Sequence, residues 1–529
     1  MPDRAASSFS VGRHAGILVP LFSIPSRRAW GIGEIPDLVH LGHWMEAAGL
    51  DFVQLLPVNE MQEGEHSPYS ALSAMAIDPV FIALDDVPDF VEPGAESVLT
   101  VDQRSRLAAA RAAAAVDYPI VRDVKGRALR AGFARFLGHE WAAGSPRAVE
   151  FRTFRARERW WLADYSLFRA LHDENGGRHW QDWEPSVRDR DPVALSHARG
   201  RLSEEILYFD YIQWLAQQQW QRVRRLLAPV GIFGDFPFMV SGNSADVWAR
   251  QDEFRLDATV GVPPDAFSET GQDWGLPVYR WDAIAAGGYQ WLRQRTRRCV
   301  ELYDGFRIDH LVGFYRTFVR ERDGTRSFVP DAEPTQRSQG ERLLDLFRAH
   351  GSFVIAEDLG TVPDFVRESM EGLGVPGMKV LRWEREWEQP GRPFRDPAGY
   401  PAISVATSGT HDTEPMAEWW DSADLAERQL VLELPALARS GCRAEEPYSA
   451  RIRDALLEVL FNARSTLVLL AVQDVFGWRD RINIPASIGE QNWTWRLPWP
   501  VEDLLVNGEA VERARFLRAL AERCAKAVP

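Results

Sequence analysis

The chain has 529 residues, 45% hydrophobic and 26% charged, enough to bury a large core and ordinary for a water-soluble protein. Its formal net charge of −15 disfavours binding to nucleic acid or to an anionic membrane surface, both of which need a cationic face, and is easier to reconcile with a neutral substrate. Cys299, Cys442 and Cys524 form no CxxC pair and have no histidine at metal-ligand spacing. The polar residues 1–13 and the short apolar run 16–21 make no signal-peptide core, and no stretch reaches the roughly 18 apolar residues of a membrane span, so reduced thiols and a cytoplasmic location are expected.

Residues 16–24, GILVPLFSI, are a continuous apolar run of strand length, as in a strand covered on both faces. A helix over Asp37–Ala48 follows, with Leu38, Leu41, Met45 and Ala48 on one face and Gly49 closing it, and leads to a second strand at 51–58. Strand, helix and strand in this order make a parallel unit with a right-handed crossover. Ser67-Pro68-Tyr69-Ser70 places a tyrosine in the loop beyond the second strand. Residues 87–200 read as a largely helical insertion, with an alanine-rich helix at 107–116 and an aromatic stretch holding Trp160, Trp161, Trp180 and Trp183; low-complexity composition is absent.

A helix over Ser203–Leu227, capped by Ser203 and stopped by Pro229, has Arg222, Arg224 and Arg225 at its dipole-favoured end and feeds a third strand at 230–237 with Asp235 late in it. The fourth strand lies in Tyr303-Asp304-Gly305-Phe306-Arg307-Ile308-Asp309-His310, and the fifth, 352–358, ends in Ala356-Glu357-Asp358. The sixth is at 377–382, the seventh at 402–407 running into Gly409-Thr410-His411-Asp412, and the eighth at 467–472 running into Gln473-Asp474. Eight strands with helical stretches between them predict an α/β fold, a (β/α)8 TIM barrel with a helical insertion after the second strand and further loop insertions. The alternative is an open doubly wound sheet with an extra domain.

In such a barrel the loops after the strands form the active site, and five strand ends finish in an acid: Asp235, Asp309, Glu357, Asp412 and Asp474. Singly, each is explained as well by a strand-end salt bridge; three or more converging on one cavity point to chemistry. Side chains alternate along a strand, so Arg307 and Asp309 share a face, and the guanidinium is expected to keep Asp309 ionised, the state a nucleophile needs. A hard cation wants oxygens without a competing guanidinium, so neither a metal nor another cofactor is expected. Glu357 follows Phe353, Ile355 and Ala356, a dry setting that raises a carboxyl pKa and suits a general acid. Two carboxyls of opposite tendency form the pair of a retaining glycosidase, with carboxyl carbons expected roughly 5–5.5 Å apart. Most of the 21 tryptophans read as core, whereas Trp274, between glycines in Gly271-Gln272-Asp273-Trp274-Gly275, reads as a platform for the face of a sugar.

From GILVPLFSI and Trp30-Gly31-Ile32-Gly33 to Gln491-Asn492-Trp493-Thr494-Trp495-Arg496, the chain resembles the amylomaltases. These are 4-alpha-glucanotransferases, or disproportionating enzymes, of the glycoside hydrolase clan that includes the α-amylases. The resemblance is most specific in Gly261-Val262-Pro263-Pro264-Asp265-Ala266-Phe267-Ser268-Glu269-Thr270-Gly271-Gln272-Asp273-Trp274-Gly275. It implies transfer among maltodextrins and other alpha-1,4-glucans, with Asp309 as nucleophile, Glu357 as acid/base and Asp412 as a third carboxylate. It also implies that Tyr69, Asp235, Arg307 and His411 contact the glucose beside the cleaved bond, that Gln272, Trp274 and Asn483 contact the glucan further along, and that 241–290 forms a loop covering the groove. Two departures, Thr413-Glu414-Pro415 where the family continues with Asn-Asp-Thr and Ala486 where a glycine is usual, bear on acceptor choice and chain length rather than on the chemical step. The alternatives are an α-glucan hydrolase of the same architecture, a glucan-binding protein with a silent site, and a metal enzyme. Nucleic-acid and membrane partners are not expected, and the sequence leaves the oligomeric state open.

Overall fold

A computed structural model of the chain describes residues 9, 12–90, 94–264, 271–485, 487 and 489–525, the side chains of 524 and 525 excepted. All eight apolar runs become strands: β1 (His14–Leu18), β2 (Phe52–Gln54), β3 (Gly231–Phe236), β6 (Gly305–Ile308), β9 (Phe353–Ala356), β10 (Gly377–Val380), β11 (Ser404–Thr407) and β12 (Leu467–Ala471). They close a parallel barrel in the order β1-β12-β11-β10-β9-β6-β3-β2. This is the (β/α)8 barrel, and closure removes the edges that an open sheet would leave unpaired. The strands are shorter than their apolar runs. Residues 16–24 give a strand only to Leu18, because Pro20 has no amide for the ladder and Leu21–Ser23 turns as a 3-10 helix.

Alternation along the strands sends aromatic rings into the barrel floor. Phe52 and Phe353 open their strands, and with Phe233 they surround the ring of Phe9, at centroid distances of 6.1, 6.4 and 5.0 Å respectively. The next inward layer is polar, since Asp235 pairs in register with Arg307. Between β1 and β2 the helix Asp37–Ala48 ends at Gly49, whose φ of 69° is the left-handed cap that glycine adopts without strain.

Residues 95–201 carry the helices Val101–Ala112, Tyr118–Arg135, Pro146–Glu174, Pro185–Arg188 and Pro192–Arg201. The alanine-rich helix begins earlier than expected because Thr100 and Gln103 form a capping box. The insertion is fastened to helix Ser203–Leu227 through rings such as Phe136 on Tyr211 (5.1 Å) and Phe151 on Trp214 (5.2 Å). Ser203 does not cap that helix: it is the first helical residue, preceded by Leu202, because the helix Pro192–Arg201 runs directly into it. Arg224 reaches beyond the helix end to the carbonyl of Glu301 (3.1 Å).

The second feature the sequence did not reveal is a small antiparallel sheet, order β5-β4-β7-β8, formed by β4 (Phe254–Val262), β5 (Gln272–Tyr279), β7 (Thr317–Glu321) and β8 (Arg326–Val329). Residues 241–290 are therefore not merely loop, and they are joined by a hairpin from beyond β6. That hairpin carries the turn signal Asp323-Gly324, with Gly324 at φ 89°.

Candidate active site

β3, β6 and β9 are neighbours in the barrel, so the ends of these three strands deliver Asp235, Asp309 and Glu357 to one place at its mouth. The ladder continues one step past each strand: the Asp309 amide donates to Phe236 O and the Glu357 amide to Ile308 O, both at 3.0 Å. At the centre is Arg307, almost fully buried. Its Nη1 donates to Asp235, in a short contact, and to the Tyr69 hydroxyl at 3.3 Å; its Nη2 donates to Asp309 Oδ1 at 2.6 Å and to Glu357 Oε2 at 3.0 Å. One nitrogen thus touches both carboxylates. Those two oxygens are therefore separated by no more than the sum of the two contacts.

After Asp309 the backbone turns through His310 at φ 43°, an uncommon conformation for a residue with a side chain, and its amide then donates to Glu357 Oε2 at 2.8 Å. Burial raises the Glu357 pKa, but Arg307, His310 and this amide outweigh it and hold the group below the usual glutamate range. For Asp309, burial and the nearby Glu357 and Asp235 prevail over Arg307 and push the pKa up to about 8. The expected order is therefore reversed. Reading along one strand, Arg307 favours only Asp309; closing the barrel gives the same guanidinium to Glu357 as well, together with an amide no sequence pattern displays.

On the far side of the mouth, the loop after β11 supplies His411 and Asp412. The Tyr69 hydroxyl donates to Asp235 Oδ2 at 2.7 Å and lies 3.2 Å from His411 Nε2, which is 3.3 Å from Asp412 Oδ2. Asn483 Nδ2 donates to Asp412 Oδ1 at 2.6 Å. Burial raises the Asp412 pKa, but His411 and Asn483 hold it well below the usual carboxylate range. Eight of the residues chosen from sequence, Tyr69, Asp235, Arg307, Asp309, Glu357, His411, Asp412 and Asn483, thus sit in one polar cluster. Gln272 and Trp274 stand beside it: the indole Nε1 donates to Gln272 Oε1 at 3.3 Å, and the ring meets His310 edge-on at 4.9 Å.

Asp474 does not join the carboxylates. The chain turns into the helix Val472–Phe476 straight after β12, and Asp474 Oδ1 there accepts from the Met416 amide at 2.6 Å. Two residues that sequence reasoning passed over do border the site. His310 is one, and Trp493 is the other, at φ 63° with its ring 5.9 Å from Tyr69 and 5.6 Å from His411. Its place in the Trp493-Thr494-Trp495 motif was the available signal. Of the two departures, Ala486 lies outside the described residues. Thr413 takes its place locally, accepting from the Thr410 amide at 2.9 Å, and Glu414 pairs with Arg382 at 3.0 Å. Among the described residues no group of three or more His, Cys, Asp or Glu side chains is arranged to hold a metal ion. Arg307 donates to one oxygen each of Asp235, Asp309 and Glu357.

A closed parallel barrel with paired carboxylates at the C-terminal ends of its strands fits an enzyme of the barrel type that works on glycosidic bonds. More narrowly, the profile of glycoside hydrolase 77, 4-alpha-glucanotransferase, matches residues 19–502, and the chain belongs to that family. It is 33% identical to a 4-alpha-glucanotransferase of Thermus thermophilus over 96% of this chain and 98% of that one. It is 30% identical to one of Chlamydia pneumoniae, over 93% of each. Among solved structures, it matches the amylomaltase of Streptococcus agalactiae in complex with acarbose with a TM-score of 0.81 and 26% identity, covering 97% of this chain and 99% of that one.

Proposed function

We propose that the enzyme moves alpha-1,4-glucan segments from a donor maltodextrin to the 4-hydroxyl of an acceptor glucan or glucose by double displacement with retention. Glu357 protonates the leaving glycosidic oxygen while Asp309 attacks the anomeric carbon, and a glycosyl-enzyme ester forms with inverted configuration. Glu357, now ionised, takes the proton of the acceptor hydroxyl, which attacks the same carbon, restores the configuration and frees Asp309. The observation that carries this reading is the single Arg307 nitrogen bridging Asp309 and Glu357. It brings both carboxyl groups onto one guanidinium nitrogen, the close approach that supports a covalent route.

The chemistry requires one proton on the pair, on Glu357 at the moment of attack. Asp309 and Glu357 share Arg307 and titrate together, and glucan binding sets that proton on Glu357. Asp412, fixed as an anion by His411 and Asn483, holds sugar hydroxyls as the ring distorts. Tyr69, Asp235, Arg307 and His411 line the position of the glucose at the bond cleaved, and Gln272, Trp274 and Asn483 extend the groove. The described part of 241–290, with Trp274 of β5 edge-on to His310, covers that groove in this reading and keeps water from the intermediate. Family membership favours transfer over hydrolysis. No described helix is long and apolar enough to cross a membrane, and a cytoplasmic enzyme fits such a chain.

Incubation with maltotriose is the test. A ladder of longer maltodextrins together with glucose is expected, while glucose and maltose alone would make the enzyme a hydrolase. Asp309→Asn and Glu357→Gln each lower kcat by a factor of about 1,000 or more with the fold retained; an active Asp309→Asn protein would remove the nucleophile assignment.

A further inference from the structure

Residues 493–496 connect the site to the helical insertion. Toward the site, the Trp493 ring lies 5.9 Å from Tyr69 and 5.6 Å from His411. Its amide donates to Ile482 O at 2.8 Å, beside Asn483, the donor to Asp412. Toward the insertion, four successive residues are tied. The Tyr118 hydroxyl donates to Trp493 O at 3.0 Å and the Val116 amide to Thr494 O at 2.8 Å. Ala115 and Trp495 form an antiparallel bridge, and Arg496 Nη1 donates to Ala110 O at 3.0 Å and to Ala113 O at 2.8 Å.

Trp493 needs such ties. Its φ of 63° is in the left-handed region, where a bulky side chain costs free energy and persists only if the surroundings hold it. Ile482 holds its N–H and Tyr118 its carbonyl. Tyr118 is itself well fixed. It is 2% exposed and opens the helix Tyr118–Arg135, whose first turn Asp117 caps by accepting from the Ile120 amide at 3.0 Å. Its ring stacks on His66 at 5.0 Å, three residues before Tyr69 in the loop that carries that residue to the mouth. One side chain of the insertion therefore touches both the Tyr69 loop and the backbone of Trp493.

From this junction we infer that Tyr118 is a positioning residue for the transfer reaction: it holds Trp493 in its left-handed conformation and so keeps the indole against Tyr69 and His411. The indole limits how far those two rings can move, and they carry the contacts to Asp235 and Asp412. The insertion is thereby part of the catalytic apparatus rather than an outer layer of the barrel. The inference rests on the reading of Tyr69 and His411 as groups that bind the glucose at the cleaved bond, and its test separates the two.

Tyr118→Phe removes one oxygen and leaves the ring on His66. It is expected to lower kcat in maltotriose disproportionation about tenfold with KM within about twofold, because slightly displaced rings cost the transition state more than the bound ground state. In a Trp493→Ala background the same change has no further effect on kcat, since it acts through that indole. A crystal structure of Tyr118→Phe shows the Trp493 ring moved away from His411. A role confined to stability would lower the melting temperature and leave kcat alone. The inference is overturned by a kcat within about twofold of the parent at a temperature where the variant is folded, by an equal fold-loss in the Trp493→Ala background, or by an unmoved Trp493. Should Tyr118→Phe fail to fold, Arg496→Lys, which keeps the charge but loses the fork that serves Ala110 O and Ala113 O, decides by the same comparison in the two backgrounds. If the parent makes no ladder from maltotriose, the transfer reading fails first and the inference with it; a ladder made as fast by Trp493→Ala as by the parent overturns the inference alone.

Discussion

At the residue scale the site turns on how many partners one guanidinium serves. Arg307 is nearly buried and bonded to Asp235, Asp309, Glu357 and Tyr69 at once, so no carboxyl titrates independently of the others. Between the low pKa of Glu357 and the value of about 8 for Asp309, the pair carries the one proton that double displacement needs. Above that value both are ionised and no acid remains, so kcat/KM for maltotriose falls as pH rises past about 8; a profile flat to pH 10 would contradict the shared proton. Asn483 gives a second check. Its removal leaves Asp412 without a 2.6 Å donor, and Asn483→Ala is expected to lower kcat about tenfold, the value of a hydrogen bond to a charged group.

At the element scale, helix Asp37–Ala48 starts with a carboxyl that is 1% exposed and bonded to the Glu34 amide at 2.8 Å. Burial, reinforced by Glu34, raises Asp37 to about 7 from 3.8. A carboxyl with a raised folded pKa adds stability that is complete below the unfolded value and is lost as pH rises through the folded one. Asp37 therefore costs the fold up to about 4 kcal/mol by pH 8, at about 1.4 kcal/mol per unit. Asp37→Asn keeps the acceptor and loses the charge. Its melting temperature should exceed the parent's at pH 8 and equal it near pH 4. The small sheet teaches a different lesson about elements. Asp323-Gly324 is a hairpin signal, yet β4, β5, β7 and β8 lie in two insertions separated by the barrel strand β6, and pairing between distant segments leaves no local pattern.

For the whole molecule, barrel closure does the assembling. Phe9 fills the floor with its ring 5.0 Å from Phe233, far from the carboxylates at the opposite end, so Phe9→Ala should cost about 3 kcal/mol in urea unfolding and leave kcat unchanged. Loss of activity in that variant would mean that floor and mouth are coupled. The eight strands and the helices of the insertion were legible before any coordinates, and so were the acids at the strand ends, whereas Tyr69, His411 and Asn483 were named through the family resemblance and His310 and Trp493 were passed over. Short continuous apolar runs bounded by turn residues read as strands covered on both faces, and Arg307-Ile308-Asp309 and Ala356-Glu357 end such runs in charge. Asp474 ends its run in the same way, and only the immediate turn into helix Val472–Phe476 distinguishes it.

The sequence by itself determined the eight strands and the acids that end them, because hydrophobic periodicity and side-chain alternation are local properties of a chain. Only the tertiary structure decided that one guanidinium serves Tyr69, Asp235, Asp309 and Glu357 together, that Asp474 turns away to the Met416 amide, and that Trp493 borders the site. Each of these depends on groups tens to hundreds of residues apart or on a backbone turn such as that at His310. Burial and charge at a point in space sum over all neighbours, whatever their order along the chain.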